Sequence, residues 1–449
     1  MVAEAEESGI GSSGRIQKKV LGIGYWVQGV RCFPWMGVNF FLKDAMGVDP
    51  STLQLLLNSA NLPMVAKPLY GVLSDAVYIS GQHRIPYIAF GAFLQALSWL
   101  AIAILSQSSI SISTITLYLL LSNLGASIAE VANDAIVAEA GKQQPTSSKI
   151  SQPSPASSGE LQSFVWMASS VGGVLGNLLG GLIIHRVSPQ KMFLLFGLLV
   201  SLQFFVTIMV RESSLNLPKR ASDIGVRKQL SKLRVALKEP AIAQSITWFA
   251  ASYAVIPALT GTMFFYQTEH LKVDSSVLGI SKVFGQAGML LWSLVYNHWL
   301  KRVASRKVIV GIQGVMALFM VSDVLFVKGV YRSMGLPDWM YVVIFSGLLE
   351  VLFFFKILPF SVVMARLCPA GCEGSLMALV MSAIALAMIV SGYLGVALAA
   401  YVGVTTANNF SGFPKALLIQ AACTLAPLFW SSCIPDDDDH ETSTRTKSE

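Results

Sequence analysis

Long apolar runs separated by short polar segments dominate the chain and give its first structural signal. A helix that crosses a bilayer needs about 20 mainly apolar residues. Runs of this kind lie at 21–42, 52–74, 86–106, 112–134, 161–183, 192–210, 242–263, 277–300, 308–328, 339–364, 374–402 and 414–434. The pattern predicts an all-α membrane protein with about twelve transmembrane helices.

A polar, basic stretch divides these runs into two sets of six. We therefore predict a cytoplasmic tail at 1–20, a six-helix bundle at 21–210, a central cytoplasmic linker at 211–240, a second six-helix bundle at 241–434 and an acidic cytoplasmic tail at 435–449. Residues 142–159 are rich in Ser, Pro and Gln and read as a further flexible linker.

Composition supports the membrane assignment. Of the 449 residues, 54% are hydrophobic and only 13% are charged, whereas soluble domains carry roughly 25% charged residues. The net charge of +7 is better explained by basic cytoplasmic loops than by nucleic-acid binding. The five cysteines are scattered, and Cys368 and Cys372 lack the neighbouring ligands of a zinc site. We expect no metal and no cofactor.

The distribution of Lys and Arg predicts the orientation of the helices in the membrane. With the N-terminus inside, cytoplasmic segments hold 21 Lys and Arg residues and the opposite side holds 7. This bias places both termini in the cytoplasm. The first 20 residues resemble neither a secretory signal nor a transit peptide, and the sequence leaves open whether the membrane is the plasma membrane or an organelle envelope.

Ionisable residues inside the predicted spans are the candidate functional groups, because charge in a membrane is costly. The basic set is Arg31, Lys67, Lys282 and Lys356, and the acidic set is Glu130, Asp134, Asp323 and Glu350. Asp323 receives less weight than the others. Glu350 and Lys356 are six residues apart, so we do not expect them to pair within their own helix.

Glu130 and Asp134 are four residues apart and share one helix face. Two carboxylates of like charge at this spacing favour holding one proton, as a proton-coupled carrier requires. The alternative is that each carboxylate is permanently paired with a Lys or Arg of a neighbouring helix. The sequence leaves both readings open.

A short motif lies between the second and third predicted spans. Gly71 precedes Asp75 by four residues, and Gly81 and Arg84 follow. This pattern resembles the Gly-x-x-x-Asp … Gly … Arg loop of the major facilitator superfamily, in which a carboxylate at a helix end accepts hydrogen bonds and locks a gate. We group Gly71, Asp75 and Arg84 with Arg366 and Glu373 as candidate gating residues.

Longer strings resemble the folate–biopterin transporter family, a branch of that superfamily. These strings are Gln28–Arg31, Phe41–Asp44, Lys67–Gly71, Asn133–Ala135 and Arg366–Ser375, and the resemblance covers roughly residues 20–430. The chain departs from the family pattern at Val77–Tyr78, at Ala138 and within Ala383–Ala387. These departures bear on the substrate rather than on the fold.

The resemblance implies a secondary transporter that moves folates or pterins by alternating access, with a co-transported proton. A buried carboxylate, Glu130 or Asp134, can pair with the donors of the pterin ring, and Arg31, Lys67 or Lys356 can hold the glutamate carboxylates. The alternative is a carrier of another small organic anion or amino-acid-like solute. No phosphate-binding loop, nucleophile motif or paired metal ligands support an enzyme or an ATP-driven pump.

Overall fold

A computed structural model describes residues 2–105, 111–142, 156–184, 186–215, 231, 234–235, 237–367 and 373–435. Nineteen helices, numbered in chain order, are found in these ranges. They are α1 Val2–Val30, α2 Cys32–Phe40, α3 Pro50–Ala60, α4 Leu62–Val65, α5 Lys67–Ala76, α6 Ile85–Ile104, α7 Ile112–Lys142, α8 Ala156–Ile183, α9 Pro189–Met209, α10 Pro240–Ala254, α11 Thr260–Phe265, α12 Ser275–His298, α13 Ser305–Val327, α14 Val330–Ser333, α15 Asp338–Tyr341, α16 Gly347–Phe355, α17 Ile357–Leu367, α18 Glu373–Val402 and α19 Phe413–Leu425.

The described part of the chain is helical, apart from turns and one isolated bridge between Ile79 and Gln82. Nine helical segments in it are long and apolar enough to cross a membrane. They are Ile85–Ile104, Ile112–Glu139, Ser163–Ile183, Pro189–Met209, Ser275–Tyr296, Ser305–Val327, Asp338–Met364, Leu376–Val402 and Phe413–Cys433. The predicted all-α membrane class is confirmed.

The other three predicted spans, at 21–42, 52–74 and 242–263, coincide with interrupted helices. Proline accounts for the interruptions inside the first two spans. Pro34 cannot donate to the carbonyl of Val30, and α1 ends there. Pro63 and Pro68 likewise interrupt the second span, which is divided into α3, α4 and α5. None of these helices is among the nine segments that are long and apolar enough to cross a membrane.

The first compact unit comprises Met1–Phe41 and Ala66–Gln229. In it α6 packs against α7 and α9, and α1 runs along α8. Glycines allow the α1–α8 contact: a Cβ placed on Gly176 would lie 2.6 Å from the Cys32 sulfur and 3.0 Å from the Val30 carbonyl oxygen. Small residues therefore bring these two backbones together, as helix packing in lipid requires.

The second compact unit comprises Leu42–Val65 and Leu230–Glu449. Its main helix pairs are α13 with α19, α10 with α18, and α12 with α16, while α3 packs on α18. Gln54 of α3 is buried and ties three segments together. Its Nε2 donates to the carbonyls of Ala258 (2.6 Å) and Gly392 (2.7 Å), and its Oε1 accepts from the Gly261 N–H (2.8 Å).

A corner structure occurs twice in this second unit. A five-residue π-helix, Phe41–Ala45 or Tyr266–His270, leads into a Val-Asp pair that starts the next long helix. The residue before that pair, Gly47 or Lys272, has a positive φ angle. Asp49 and Asp274 then cap α3 and α12 by accepting from the backbone N–H two residues ahead.

Candidate functional site

Three of the predicted site residues form an ion-paired cluster inside the first unit. Glu130 of α7 accepts from Arg31 Nη1 at 2.6 Å and from Lys67 Nζ at 2.8 Å, one cation on each carboxylate oxygen. Arg31 also donates from Nη2 to Asn123 Oδ1 at 2.7 Å. The Glu130 side chain is only 9% exposed, while those of Arg31 and Lys67 are 15% and 25% exposed. We call these residues, with Asp134 and Tyr25, the central cluster.

Asp134 lies one helical turn from Glu130 and has a different environment. Its carboxylate accepts a hydrogen bond from the hydroxyl of Tyr25 in α1, and its side chain is exposed. The environments of the two acids therefore differ. Glu130 is held by two cations, whereas Asp134 accepts from a neutral hydroxyl.

Two cations of the spans, Arg31 and Lys356, lie at helix interruptions. Arg31 separates α1 from α2, three residues before Pro34, and Lys356 separates α16 from α17, three residues before Pro359. Pro359 cannot donate to the Phe355 carbonyl, which accepts instead from Trp292 Nε1 at 3.1 Å. In both cases a cation stands three residues before a proline inside a predicted span, and this sequence pattern indicates the helix interruption.

Lys356 of the second unit is fully buried and contacts neutral groups. Its ammonium donates to Gln313 Oε1 (2.7 Å) and Ser252 Oγ (3.1 Å), and it lies 4.0 Å from the centre of the Tyr253 ring. Among the described residues no carboxylate pairs with Lys356. A buried cation held by amide, hydroxyl and aromatic groups is costly in a membrane and is a functional candidate for that reason.

Lys282 and Glu350 pair with each other within the second unit. Lys282 Nζ lies 2.5 Å from Glu350 Oε1, with the two side chains 35% and 54% exposed. The prediction that Glu350 does not pair with Lys356 is confirmed. Asp323, which the sequence analysis ranks last, is instead buried and bound by the hydroxyl of Tyr341 at 3.0 Å.

The loop motif forms a larger charged cluster than the sequence suggests. Arg84 donates to Asp75, to Ser74 Oγ (2.6 Å) and to Glu139 Oε1 (2.6 Å). Gly71 lies on the same helix as Asp75, where a Cβ would just reach Val131 at 3.4 Å. Asp75 and Arg84 of the motif are therefore in contact, and Glu139 is an additional partner of Arg84.

Glu212, just after α9, completes this group. Its Oε2 accepts from three consecutive backbone N–H groups, those of His83 (3.0 Å), Arg84 (2.8 Å) and Ile85 (3.1 Å), at the start of α6. Its Oε1 lies 2.6 Å from His83 Nδ1. A carboxylate at a helix N-terminus is stabilised by the free N–H groups there. We call Asp75, His83, Arg84, Glu139 and Glu212 the loop cluster.

The pKa values of His83 and Glu212 in the loop cluster are strongly displaced. The carboxylates of Glu139 and Glu212 raise the pKa of His83 from 6.5 to about 9. Burial acts to raise the pKa of Glu212, but hydrogen bonds from His83 and from the Arg84 and Ile85 backbones prevail and lower it from 4.5 to about 2. His83 is thus protonated at neutral pH while Glu212 is ionised.

These two shifts predict how the loop cluster stabilises the protein as pH changes. The His83 contribution is complete below pH 6.5 and is lost as pH rises through about 9. The Glu212 contribution is present above pH 4.5 and is lost as pH falls towards about 2. The gap in apparent melting temperature between the unmodified protein and His83→Gln should therefore shrink between pH 6.5 and 9. A difference in melting temperature that stays constant with pH would contradict this prediction.

Two predicted gating residues lie outside the described part of the site. Arg366 and Glu373 fall at the ends of α17 and α18, and their side chains are outside the described residues, as are Cys368 and Cys372. Among the described residues no group of three or more His, Cys, Asp or Glu side chains is arranged to hold a metal ion.

The fold is that of a multi-pass membrane protein. A solved structure of a mutant form of the nucleoside transporter NupG has the same fold, with a TM-score of 0.70 over 93% of this chain and 99% of that chain at 14% identity. The BT1 family model matches residues 28–449, so the chain belongs to the BT1 family. The predicted resemblance and the exclusion of an enzyme are confirmed.

Two relatives from Arabidopsis thaliana are similar over nearly the whole chain. One, named "Probable folate-biopterin transporter 7", is 62% identical over 93% of this chain and 93% of its own length. Another, named "Probable folate-biopterin transporter 8, chloroplastic", is 44% identical over 92% of this chain and 75% of its own length.

Proposed function

We propose that this protein moves folates or related pterins across a membrane by alternating access of two six-helix halves, together with a proton. The names of the relatives support the substrate class. The bias of Lys and Arg supports a cytoplasmic location for both termini. The membrane itself, plasma membrane or organelle envelope, stays open.

The observation that carries the proposal is the charge balance of the central cluster. Arg31 and Lys67 supply two positive charges, and Glu130 and Asp134 supply two negative ones. A proton on Asp134 would leave one positive charge without a counter-charge. That state favours an anionic substrate, so proton binding and anion binding would support each other.

The chemistry of a folate or pterin suits these groups. A glutamate carboxylate can take up hydrogen bonds from Arg31 or Lys67, whose side chains remain partly exposed. The N–H donors of a pterin ring can bind Glu130 or Asp134. In the second half Lys356 is a further cation for a carboxylate, and because it is fully buried here, it would need a conformational change to reach the substrate.

Another small organic anion or amino-acid-like solute is the second candidate. The central cluster selects for charge and hydrogen-bonding groups, and these are not unique to folates. Competition decides between the two: excess unlabelled pterin should block uptake of labelled folate, whereas amino acids should not.

The test is uptake of labelled folate and pterin into vesicles that hold the purified protein. We expect uptake to rise with an inward proton gradient, and Asp134→Asn to lose this pH dependence while retaining the Tyr25 contact. Proton transfer by a positioned group is worth roughly 100-fold or more, so the loss should be plain. Asp338→Asn, which removes a half-buried carboxylate paired with Arg332 at 2.9 Å, is the control and should keep the dependence.

Two results would contradict the proposal. Uptake no greater than in empty vesicles at every pH would end the assignment of folates and pterins. Unchanged pH dependence in Asp134→Asn would remove Asp134 from proton coupling and leave the substrate assignment in place.

A further inference from the structure

Asp323 is a buried carboxylate whose described partner is a neutral hydroxyl. It lies on α13 four residues before that helix ends at Val327, and it is 5% exposed. Its Oδ1 accepts a hydrogen bond from Tyr341 of α15 at 3.0 Å. The negative end of the helix dipole also lies close by, which opposes a negative charge at this position. An ionised Asp323 would therefore be a buried anion without a cation.

A chain of hydroxyl groups leads away from Asp323. The Tyr341 hydroxyl also lies 2.9 Å from Ser322 Oγ, and Ser322 Oγ lies 2.9 Å from the hydroxyl of Tyr331. Tyr341 is buried, while Ser322 and Tyr331 are half-buried. Tyr331 belongs to the short helix α14, in the connection between α13 and α15. The chain thus links a buried acid to a surface connection through three hydroxyls.

Stacked aromatic rings hold this chain in place. The Tyr341 ring stacks on Phe326 at 4.1 Å, on Phe345 at 5.0 Å and on Tyr331 at 5.1 Å between centroids. Rings fixed on both faces keep the two phenol hydroxyls within hydrogen-bond distance of Ser322. The apolar rings also limit access of water to Asp323 from the sides.

The charged and titratable groups on the elements around Asp323 make no described contact with its carboxylate, apart from Tyr341. Within the described residues they are the Arg332–Asp338 ion pair, Glu350 with Lys282, the exposed Lys328 and Lys415, Arg306 and Lys307 at the opposite end of α13, Cys423, Cys433, and Tyr266, whose hydroxyl donates to the Val327 carbonyl at 3.2 Å. None of these groups is hydrogen-bonded to or ion-paired with Asp323 in the described structure. A metal cation would need more oxygen ligands than this one acid and its hydroxyls offer.

We propose that Asp323 is a second proton-binding site, loaded from the α13–α15 connection through Tyr331, Ser322 and Tyr341. This proposal depends on the proposed function in one respect: the proton bound at Asp323 is assigned to transport. A carboxylate and a chain of hydroxyls, each able to donate and accept, are the groups that bind and pass protons.

The transfer is balanced at every link. In the structure Ser322 Oγ accepts from Tyr341, which is the direction expected when Asp323 carries the proton. With Asp323 ionised, Tyr341 donates to the carboxylate, so the Ser322 hydroxyl must turn to donate to Tyr341 while Tyr331 donates to Ser322. A proton taken from water at the Tyr331 oxygen lets each hydroxyl pass its own proton onward. One proton arrives at Asp323, the carboxylate becomes neutral, and every hydrogen bond of the chain reverses direction.

Infrared difference spectroscopy of the purified protein after a pH step tests the site without any substrate. Protonated carboxyl groups give a C=O band that carboxylates lack. We expect Asp323→Asn to lose one component of this band, because Asn keeps the size of Asp and still accepts from Tyr341. Asp338→Asn, which changes a half-buried carboxylate that is paired with Arg332, should keep the band unchanged.

Tyr331→Phe tests the path separately from the acid. It removes the first hydroxyl of the chain and leaves Asp323 intact, so the band should persist while the rate of its appearance falls about tenfold or more. An unchanged band in Asp323→Asn would overturn the proton site, and an unchanged rate in Tyr331→Phe would overturn the path.

The outcomes separate this inference from the proposed function. A normal band with no folate or pterin uptake would contradict the transport assignment alone. Active uptake with a band that does not depend on Asp323 would contradict the inference alone.

Discussion

Replacing Glu130 with Gln is expected to abolish uptake and to destabilise the protein by about 3 kcal/mol. The carboxylate is 9% exposed and binds Arg31 at 2.6 Å and Lys67 at 2.8 Å, so its loss leaves two partly buried cations facing one amide oxygen. Removing one partner of a buried ion pair is far more costly than the pair itself is stabilising. Uptake and apparent melting temperature measured on the same preparations check both effects.

A double variant separates the structural from the functional part of this result. In Glu130→Gln with Lys67→Met, one of the two cations is removed, and roughly half of the lost stability should return. Uptake should stay absent, because both groups are proposed to contact the substrate. Glu350→Gln is the matched control: its side chain is 54% exposed, and loss of an exposed pair is worth about 1 kcal/mol or less.

If Glu130→Gln unfolds no more easily than Glu350→Gln, the ion pairs of the central cluster do not stabilise the fold. If the double variant transports normally, neither Glu130 nor Lys67 belongs to the substrate site.

The identity of the buried charges was predictable from the sequence, whereas their pairing was not. Arg31, Lys67, Glu130 and Lys356 stand out because charge is rare in apolar runs. Which acid meets which base depends on the rotation of each helix about its axis, and spans without a polar stripe do not reveal that rotation. The separate environments of Glu130 and Asp134 therefore emerge only from the fold.

Residues outside the spans were the hardest to assign. Glu212 lies in the segment treated as a polar linker, and only the fold shows that it caps the start of α6. Tyr331 was equally hard to assign. A Tyr in a connection does not indicate that it is linked to a buried acid, here through Ser322 and Tyr341. Both roles depend on contacts between distant residues.

The interruptions of the spans could have been foreseen in part. Apolar composition predicts where the chain crosses the membrane but does not require one straight helix. The prolines at 34, 63, 68 and 359 each remove a backbone donor, and the breaks occur within a few residues of them. A cation placed three residues before Pro34 and Pro359 adds the functional part of the signal.

Replacing Lys356 with Met is expected to raise stability and to abolish uptake, two effects of opposite sign. Lys356 is fully buried, and its described partners are the neutral groups of Gln313, Ser252 and Tyr253. Met has a similar length and no charge, so it removes the cost of burying an ammonium group. The substitution also leaves Gln313 Oε1 without its donor, which costs about 1 kcal/mol of stability. Burying an unpaired charge costs several kcal/mol, so the net effect of the substitution should be stabilising.

A second substitution and a control make the sign of this result decisive. Adding Gln313→Leu removes the orphaned amide oxygen and also the Gln313 bond to the Thr424 carbonyl (2.7 Å), so the double variant should match Lys356→Met in stability to within about 1 kcal/mol. Lys282→Met replaces a cation that is 35% exposed and paired, and should change stability by about 1 kcal/mol or less. A Lys356→Met protein that melts lower than the unmodified one would show that the cation is stabilising where it lies. A buried charge that opposes folding is expected to be retained for the step in which it acts. A Lys356→Met protein that melts higher and still transports would therefore exclude Lys356 from the transport site.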